Sequence, residues 1–392
     1  MICGAGYGQL PAIIKAKELG FEVVAVDKNP RAIGMAKADQ KVEVDIVDSD
    51  AVLAVARELD IAGIMTMQSD VAVPTVGKVI QAMRLSGINY EVAQRCSDKI
   101  ITRRTFREAG VPQPQFREIS DPVGAREAAL KIGYPCVIKA PDSSGSRGVI
   151  KVKRQADIEA AMTEAFKHTK SETLLLEEFI GGEEIGAQAF SVNGSCQLVL
   201  VHNDEVSPPP FMVPTGHSFP SKLSPDQIAT IKEGVKAAVD ALGINDGPSN
   251  IDLILEEDGA PRIIEIGARI GATCLPELVE YFTGIDWVRA AILSAVGESP
   301  DLTITKSDPC AAFILHSPAD GVLNHIEVPE ELKSKPGVLE LEVTVRPGDA
   351  VSKLRKGTDR IGKVIACGST VEDAEALAKM MQNSVVFRVE PT

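Results

Sequence analysis

The sequence predicts an α/β protein with α+β portions: an open parallel sheet at the N-terminus, then a small and a larger mixed domain. Three observations carry this expectation. Residues 1–90 alternate short apolar runs with helical stretches, the rhythm of successive βαβ units. Around Lys139 an apolar strand runs into a serine- and glycine-rich loop and returns as a second strand. Further on, the apolar runs Ile251–Leu255 and Pro261–Ile266 flank the turn Glu256-Glu257-Asp258-Gly259-Ala260, and each carries one acid, Asp252 and Glu265.

In chain order, Ile2-Cys3 is a strand that enters Gly4-Ala5-Gly6-Tyr7-Gly8 and a helix to about Leu19. Phe21–Asp27 is a second strand, and Lys41–Asp45, Gly63–Met67 and Gly87–Asn89 are further short ones. The glycine turn resembles a dinucleotide motif, with Asp27 placed as a ribose-binding acid. Its spacing is G-x-G-x-G, however, and Gln9 stands where G-x-G-x-x-G needs glycine. A tight strand-to-helix turn is the favoured reading, and an NAD-binding oxidoreductase the alternative. Residues 92–118 are a helical connection, opened by Asp98-Lys99 and stopped at Ala109-Gly110-Val111-Pro112.

From 119 to 180 the pattern is helix, strand (Tyr134–Lys139), loop, strand (Ile150–Val152), helix and strand (Leu174–Glu178). Two strands surround Asn193-Gly194, and a helix runs from Ser224 to Leu242 with Pro225 in its first turn. The last part holds strands at Ala311–Leu315, Val338–Val345 and Gly362–Gly368, a helix at Val371–Gln382 and a strand at Val385–Val389.

The net charge of −14 argues against a nucleic-acid partner or an anionic membrane surface. Seven scattered cysteines without a CxxC pair read as reduced thiols, neither a disulfide framework nor a zinc site. No apolar run approaches membrane-spanning length, and no basic segment marks a secretory signal. A cytoplasmic enzyme is the expectation.

The chemistry starts from the two acids. Antiparallel pairing across the turn brings Asp252 and Glu265 together, and carboxylates on apolar strands need positive charge between them. Hard oxygen donors of this kind suit Mg²⁺ with substrate phosphates, and Arg269 can reach the same phosphates. In the loop after Lys139, small residues let backbone N–H groups approach phosphate oxygens, while the lysine supplies a point charge. No Gly-Lys-Ser/Thr follows, so it is not a Walker loop. The strand Leu174–Glu178 ends in acids that can serve a nucleoside edge or simply be solvated. His217, in a loop Pro214–Pro220, is a candidate border of a substrate pocket, or a structural histidine.

Together and in this order, these residues resemble the ATP-grasp superfamily over almost the whole chain. The resemblance implies an ATP-grasp fold with a Rossmann-like pre-ATP-grasp domain (1–92), a small lid domain with its connecting helix (93–180), a large metal-binding domain (181–300) and a C-terminal subdomain (301–392). It implies that Lys99 and Lys139 contact nucleotide phosphates, and that the loop with Ser143, Ser144, Gly145, Ser146 and Gly148 closes over them. Glu177, Glu178, Phe179 and Ile180 match the hinge that holds adenine, and Glu184 a ribose-binding acid. Asp252 and Glu265 match the Mg²⁺ ligands, with Mn²⁺ as a substitute, and Arg269 the catalytic arginine.

Biotin carboxylase-like members read Glu-x-Asn-Pro-Arg at the metal strand; here it is Glu265-Ile266-Gly267-Ala268-Arg269, so Gly267 offers no ligand. This form, with Thr215–Ser221 and the tail Arg360–Gly368, resembles the L-amino acid ligase branch. The implied function is an ATP-dependent carboxylate–amine ligase working through an acyl phosphate on a small-molecule carboxylate and amine such as amino acids, in a homodimer. A carboxylase or purine-pathway ligase using bicarbonate or formate is the alternative within the family.

Overall fold

The computed structural model describes residues 1–145, 147–208 and 211–391. They divide into two compact units. The first comprises Met1–Leu200, Pro225–Gly271 and Val288–Leu302; the second comprises Val201–Ser224, Ala272–Trp287 and the chain from Thr303 on.

The first unit opens with the parallel sheet that strand–helix alternation demands. Strands β1 (Ile2–Cys3), β2 (Val24–Val26), β3 (Gln40–Val42) and β4 (Met65–Thr66) lie in the order β3-β2-β1-β4. The strand expected at Gly87–Asn89 does not form. Asn89 instead accepts a hydrogen bond from Val92 N at 2.9 Å and caps the helix Tyr90–Ser97. A short polar side chain that bonds nearby backbone competes with strand pairing in this way.

The helices Val73–Met83 and Tyr90–Ser97 cross tightly at Gly77, where a Cβ would stand 2.5 Å from Ala93 Cβ and 2.9 Å from Asn89 O. Asp98 then closes one helix and opens the next, Lys99–Ala109, by accepting from Ile100 N (2.8 Å) and Ile101 N (3.1 Å). Lys99 is thereby fixed in a first helical turn.

A second sheet follows, antiparallel, with β5 (Phe116–Ile119), β6 (Cys136–Lys139), β7 (Val149–Val152) and β8 (Leu174–Glu178) in the order β5-β8-β6-β7. The helices Pro122–Ile132 and Ile158–Phe166 cover it, burying Ile138, Leu174, Leu176, Ile158 and Met162 in one apolar cluster. Next, β9 (Glu183–Val192) and β10 (Ser195–Val206) form the hairpin expected at Asn193-Gly194. The strand Gly247–Leu255 pairs with β9 on one side and with Pro261–Gly267 on the other.

In the second unit the end of β10 pairs with Pro214–Phe219, followed in the sheet by Cys310–His316, Arg360–Cys367 and Val338–Val343. The segment 214–219, expected as a loop, is a strand because it has hydrogen-bonding neighbours on both sides: His217 faces Asp204 and Ala312. The helix Val371–Ser384 contributes Ala374, Ala378 and Met381 to a core with Phe313 and Val364. Lys363 on this sheet lies 2.7 Å from Glu277 and 2.8 Å from Glu340. Among the described residues no helix is long and apolar enough to cross a membrane.

The close crossing at Gly77 is testable. Gly77→Ala forces Ala93 and the Asn89 carbonyl to move, at an overpacking cost of about 1–3 kcal/mol. Its urea unfolding midpoint is expected below wild type, whereas Gly234→Ala, on a helix where a Cβ meets nothing, leaves the midpoint unchanged or raised.

Candidate functional site

Strand pairing sets the centre of the site. Asp252 and Glu265 are direct cross-strand partners, so both carboxylates project from one face. The ladder slips immediately afterwards: Leu253 pairs with Ile263, which leaves Ile264 as the extra residue of a bulge. The carbonyls displaced there are satisfied from elsewhere. Arg103 Nη1 donates to Ile263 O at 3.2 Å and Arg103 Nη2 to Ile264 O at 2.7 Å.

Two cations answer the paired acids. Lys99 Nζ lies 3.3 Å from Glu265 Oε1 and donates to Ser143 O at 2.5 Å, while Lys99 N donates to Pro141 O at 2.9 Å. One residue thus ties the acid pair to the loop after Lys139. Arg269 Nε donates to Asp70 Oδ1 at 2.8 Å. Burial would lower the guanidinium pKa, but Asp70 first, then Asp252 and Glu265, raise it above its ordinary value. Burial likewise opposes ionisation of Asp70, and Arg269, with Lys99 beyond it, holds that carboxyl below its ordinary value.

Behind this centre lies a buried ionic triad. Glu177, 1% exposed, receives Arg103 Nε at 2.5 Å on one oxygen and Lys139 Nζ at 2.6 Å on the other. Desolvation alone would raise the Glu177 carboxyl; Arg103 and Lys139 overcome it and hold the pKa at about 2. Arg103 therefore joins the bulged strand to the carboxylate that holds Lys139.

The remaining predicted residues are placed as follows. Ser144 accepts from Arg147 Nε at 3.0 Å, Gly145 and Gly148 take left-handed backbone in the same loop, and Ser146 lies outside the described residues. Glu178 accepts from Gln115 N at 3.2 Å. The exposed ring of Phe179 has Lys151 Nζ 3.2 Å from its centroid, and Ile180 is buried. Glu184 is exposed on β9, opposite Ile254.

His217 belongs to the second unit. Its Nδ1 lies 2.6 Å from Asp204 Oδ1, and His202 Nδ1 lies 2.8 Å from the same oxygen. The three ligand atoms fall within 4.8 Å of one another, the sole such group of three His, Cys, Asp or Glu among the described residues. Donors around a zinc ion, with bonds of about 2.0–2.2 Å, stand roughly 3.3 Å apart. The observed separations are instead those of hydrogen bonds. Burial would raise Asp204; the two imidazoles hold its carboxyl well below the usual range.

Sequence reasoning missed Arg103 and Asp70. Arg103 carried a signal, because it stands four residues after Lys99 on the same helical face. Asp70 follows a strand of the parallel sheet at its carboxyl end, where open α/β sheets place ligand crevices.

The triad makes two predictions. Arg103→Met leaves a buried carboxylate short of one partner and is expected to cost about 3–5 kcal/mol, read as a lowered urea midpoint. The folded Glu177 pKa lies below its ordinary 4.5, so its contribution is complete above pH 4.5 and is lost as pH falls towards about 2. Wild-type midpoints should fall across that window, and those of Glu177→Gln should fall less.

Residues 132–277 match the model of the ATP-grasp domain, and residues 313–390 that of the L-amino acid ligase C-terminal domain 2. The curated protein "Uncharacterized protein y4rH" of Sinorhizobium fredii (strain NBRC 101917 / NGR234) is 30% identical over 366 residues, 90% of this chain and 75% of that one. Phosphoribosylglycinamide synthetase from Anaerococcus prevotii is similar in structure with a TM-score of 0.84 and 27% identity, covering 99% of this chain and 98% of that one. L-amino acid ligase from Bacillus licheniformis shares the fold at a TM-score of 0.83 and 22% identity, with the same coverage. The domain match spans both Lys139 and the paired acids, and with a full-length likeness of that extent the chain belongs to the ATP-grasp family of ligases.

Proposed function

We propose that the protein is an ATP-dependent carboxylate–amine ligase, forming an amide or peptide bond through an acyl phosphate and releasing ADP and phosphate. The observation that carries this reading is the cross-strand pair Asp252–Glu265 with Lys99 and Arg269 beside it. Two hard anionic oxygens on one strand face fit Mg²⁺, or Mn²⁺ in its place, shared with substrate phosphates. Bound there, the ion would neutralise phosphate charge and polarise the phosphoryl oxygens.

The chain's own residues then have distinct tasks. Lys99 and Lys139 hold phosphate oxygens, and the loop 142–149 covers them and excludes water from the activated acid. Glu177 to Ile180 border the adenine, and Glu184 accepts from ribose hydroxyls. A substrate carboxylate oxygen attacks the γ-phosphorus; the bond to the bridging oxygen breaks and ADP leaves with its electron pair. Arg269 stabilises the charge on the transferring phosphoryl group. The amine nitrogen then attacks the acyl carbon, the bond to phosphate breaks, and the amine proton passes to solvent. Positioning and charge neutralisation account for most of the rate, since little covalent chemistry falls to the protein.

The C-terminal match over 313–390 supports amino acids as substrates. The absence of a ligand side chain at Gly267 weighs against a carboxylase. A second reading, a purine-pathway ligase, draws on the 27% identity to phosphoribosylglycinamide synthetase, and a phosphoribosyl product would favour it.

ADP release with ATP, Mg²⁺ and amino acids, singly and in pairs, tests the proposal. Amino-acid-dependent turnover is expected in wild type. Glu265→Gln and Arg269→Ala should each lose about 10²–10³-fold while circular dichroism stays native. Full turnover in both variants would overturn it.

A further inference from the structure

Arg269 is not left to find its own position. Met67, just past β4, forms a parallel bridge with Ile270, and Gln68 N donates to Ile270 O at 3.2 Å. The end of the parallel sheet is thus joined to the chain one residue beyond Arg269. Asp70, in the short turn Asp70–Ala72, arrives beside the guanidinium and accepts from Nε at 2.8 Å. Arg269 Nη1 leans on Ile270 O at 3.4 Å, and Arg269 N donates to Gly267 O at 2.9 Å.

Gly267 makes the arrangement sterically admissible. A Cβ at this position would lie 2.9 Å from Asp70 Oδ1, 3.2 Å from Arg269 Cζ and 3.3 Å from Arg269 Nη2. With a side chain at 267 the Asp70 carboxylate must shift, and the guanidinium must give by a few tenths of an ångström. The volume such a side chain would take is occupied by the Asp70–Arg269 pair.

We infer that Asp70 is a positioning residue: its carboxylate fixes the Arg269 guanidinium beside the paired acids, in a space that glycine at residue 267 leaves open. The inference rests on the proposed role of Arg269 in phosphoryl transfer. Without Asp70, the strongest anions within reach of the guanidinium are Asp252 and Glu265 themselves. Arg269 would then turn from the transferring phosphoryl group towards them, while a bound metal ion keeps its hold on both carboxylates. Asp70 holds the Nε side, and the fork of Nη donors keeps its direction.

The test uses the full chain with MgADP, alone and with aluminium fluoride as a mimic of the transferring phosphoryl group, read by binding titration and thermal shift. Wild type should bind MgADP and bind more tightly with aluminium fluoride. Asp70→Asn and Gly267→Ala should bind MgADP as wild type does, yet each should lose about 100-fold in the aluminium fluoride complex, the scale of a misplaced catalytic group. Asp70→Glu should recover part of that loss. The double variant should lose no more than either single one, because both changes strike one pair. Should wild type gain nothing from MgADP, the nucleotide reading fails and the inference with it. Should wild type respond while Asp70→Asn and Gly267→Ala retain the full aluminium fluoride gain, the role of Asp70 is overturned and the reading stands.

Discussion

Two carboxylates held opposite each other on neighbouring strands are the constraint on which the rest of the site depends. Like charges at cross-strand distance repel, and the pairing of Asp252 with Glu265 is balanced by cations placed around it. Lys99 and Arg269 are these cations, and each is itself held: Lys99 by the Ser143 carbonyl, Arg269 by Asp70. The same alternation recurs one layer back, where Glu177 separates Arg103 from Lys139. The lysines proposed for phosphate are therefore not bare charges awaiting a ligand. An incoming phosphate must draw Lys99 partly from Glu265 and Lys139 partly from Glu177, which favours a ligand carrying its own divalent cation to rebalance the acids.

The bulge at Ile264 connects these layers. Pro261–Gly267 is the edge strand of its sheet, so a regular ladder would turn only one of the consecutive Ile263 and Ile264 carbonyls to its single strand neighbour. Beside the slip after Asp252 both accept from Arg103, whose Nε donates to Glu177. Backbone geometry at the acid pair is thus transmitted through one buried arginine to the lysine at the end of β6. A bulge beside a reactive site commonly re-aims a group in this manner. Here main-chain oxygens beside the bulge meet Arg103, so that the strand with the acids and the sheet with Lys139 share one fixed point.

Much of this was legible in the sequence because the signals are local. Period-two and period-3.6 patterns located most strands and helices, and the five-residue turn 256–260 was short enough to set Asp252 against Glu265. Local cues also misled. Gly87-Ile88-Asn89 reads as a strand until Asn89 turns out to cap a helix, and Pro214–Phe219 reads as a loop because its flanking prolines and glycine are punctuation, whereas two distant strands pair with it. Arg103 was half visible through its spacing from Lys99, but its partners lie 74 and 160 residues away. Asp70 was invisible for the same reason: 199 residues separate it from Arg269, and no periodicity spans that distance.

Gly267 shows how a local departure acquires its meaning from a distant residue. On sequence alone it is a missing ligand, a glycine where related enzymes carry asparagine. In the fold, a side chain at that position would have to displace its neighbours. Its Cβ would already press on Asp70 Oδ1 at 2.9 Å and on Arg269 Cζ at 3.2 Å, before any amide group was added. A side chain at 267 and a carboxylate at 70 in its present position are alternatives, because two groups cannot occupy one volume in an interior packed near crystal density. With glycine at 267, Arg269 is anchored from the parallel sheet through Asp70. Glycine at 267 thus spares the room in which the Asp70 carboxylate sets the direction of Arg269, whose charge both acids of the pair support.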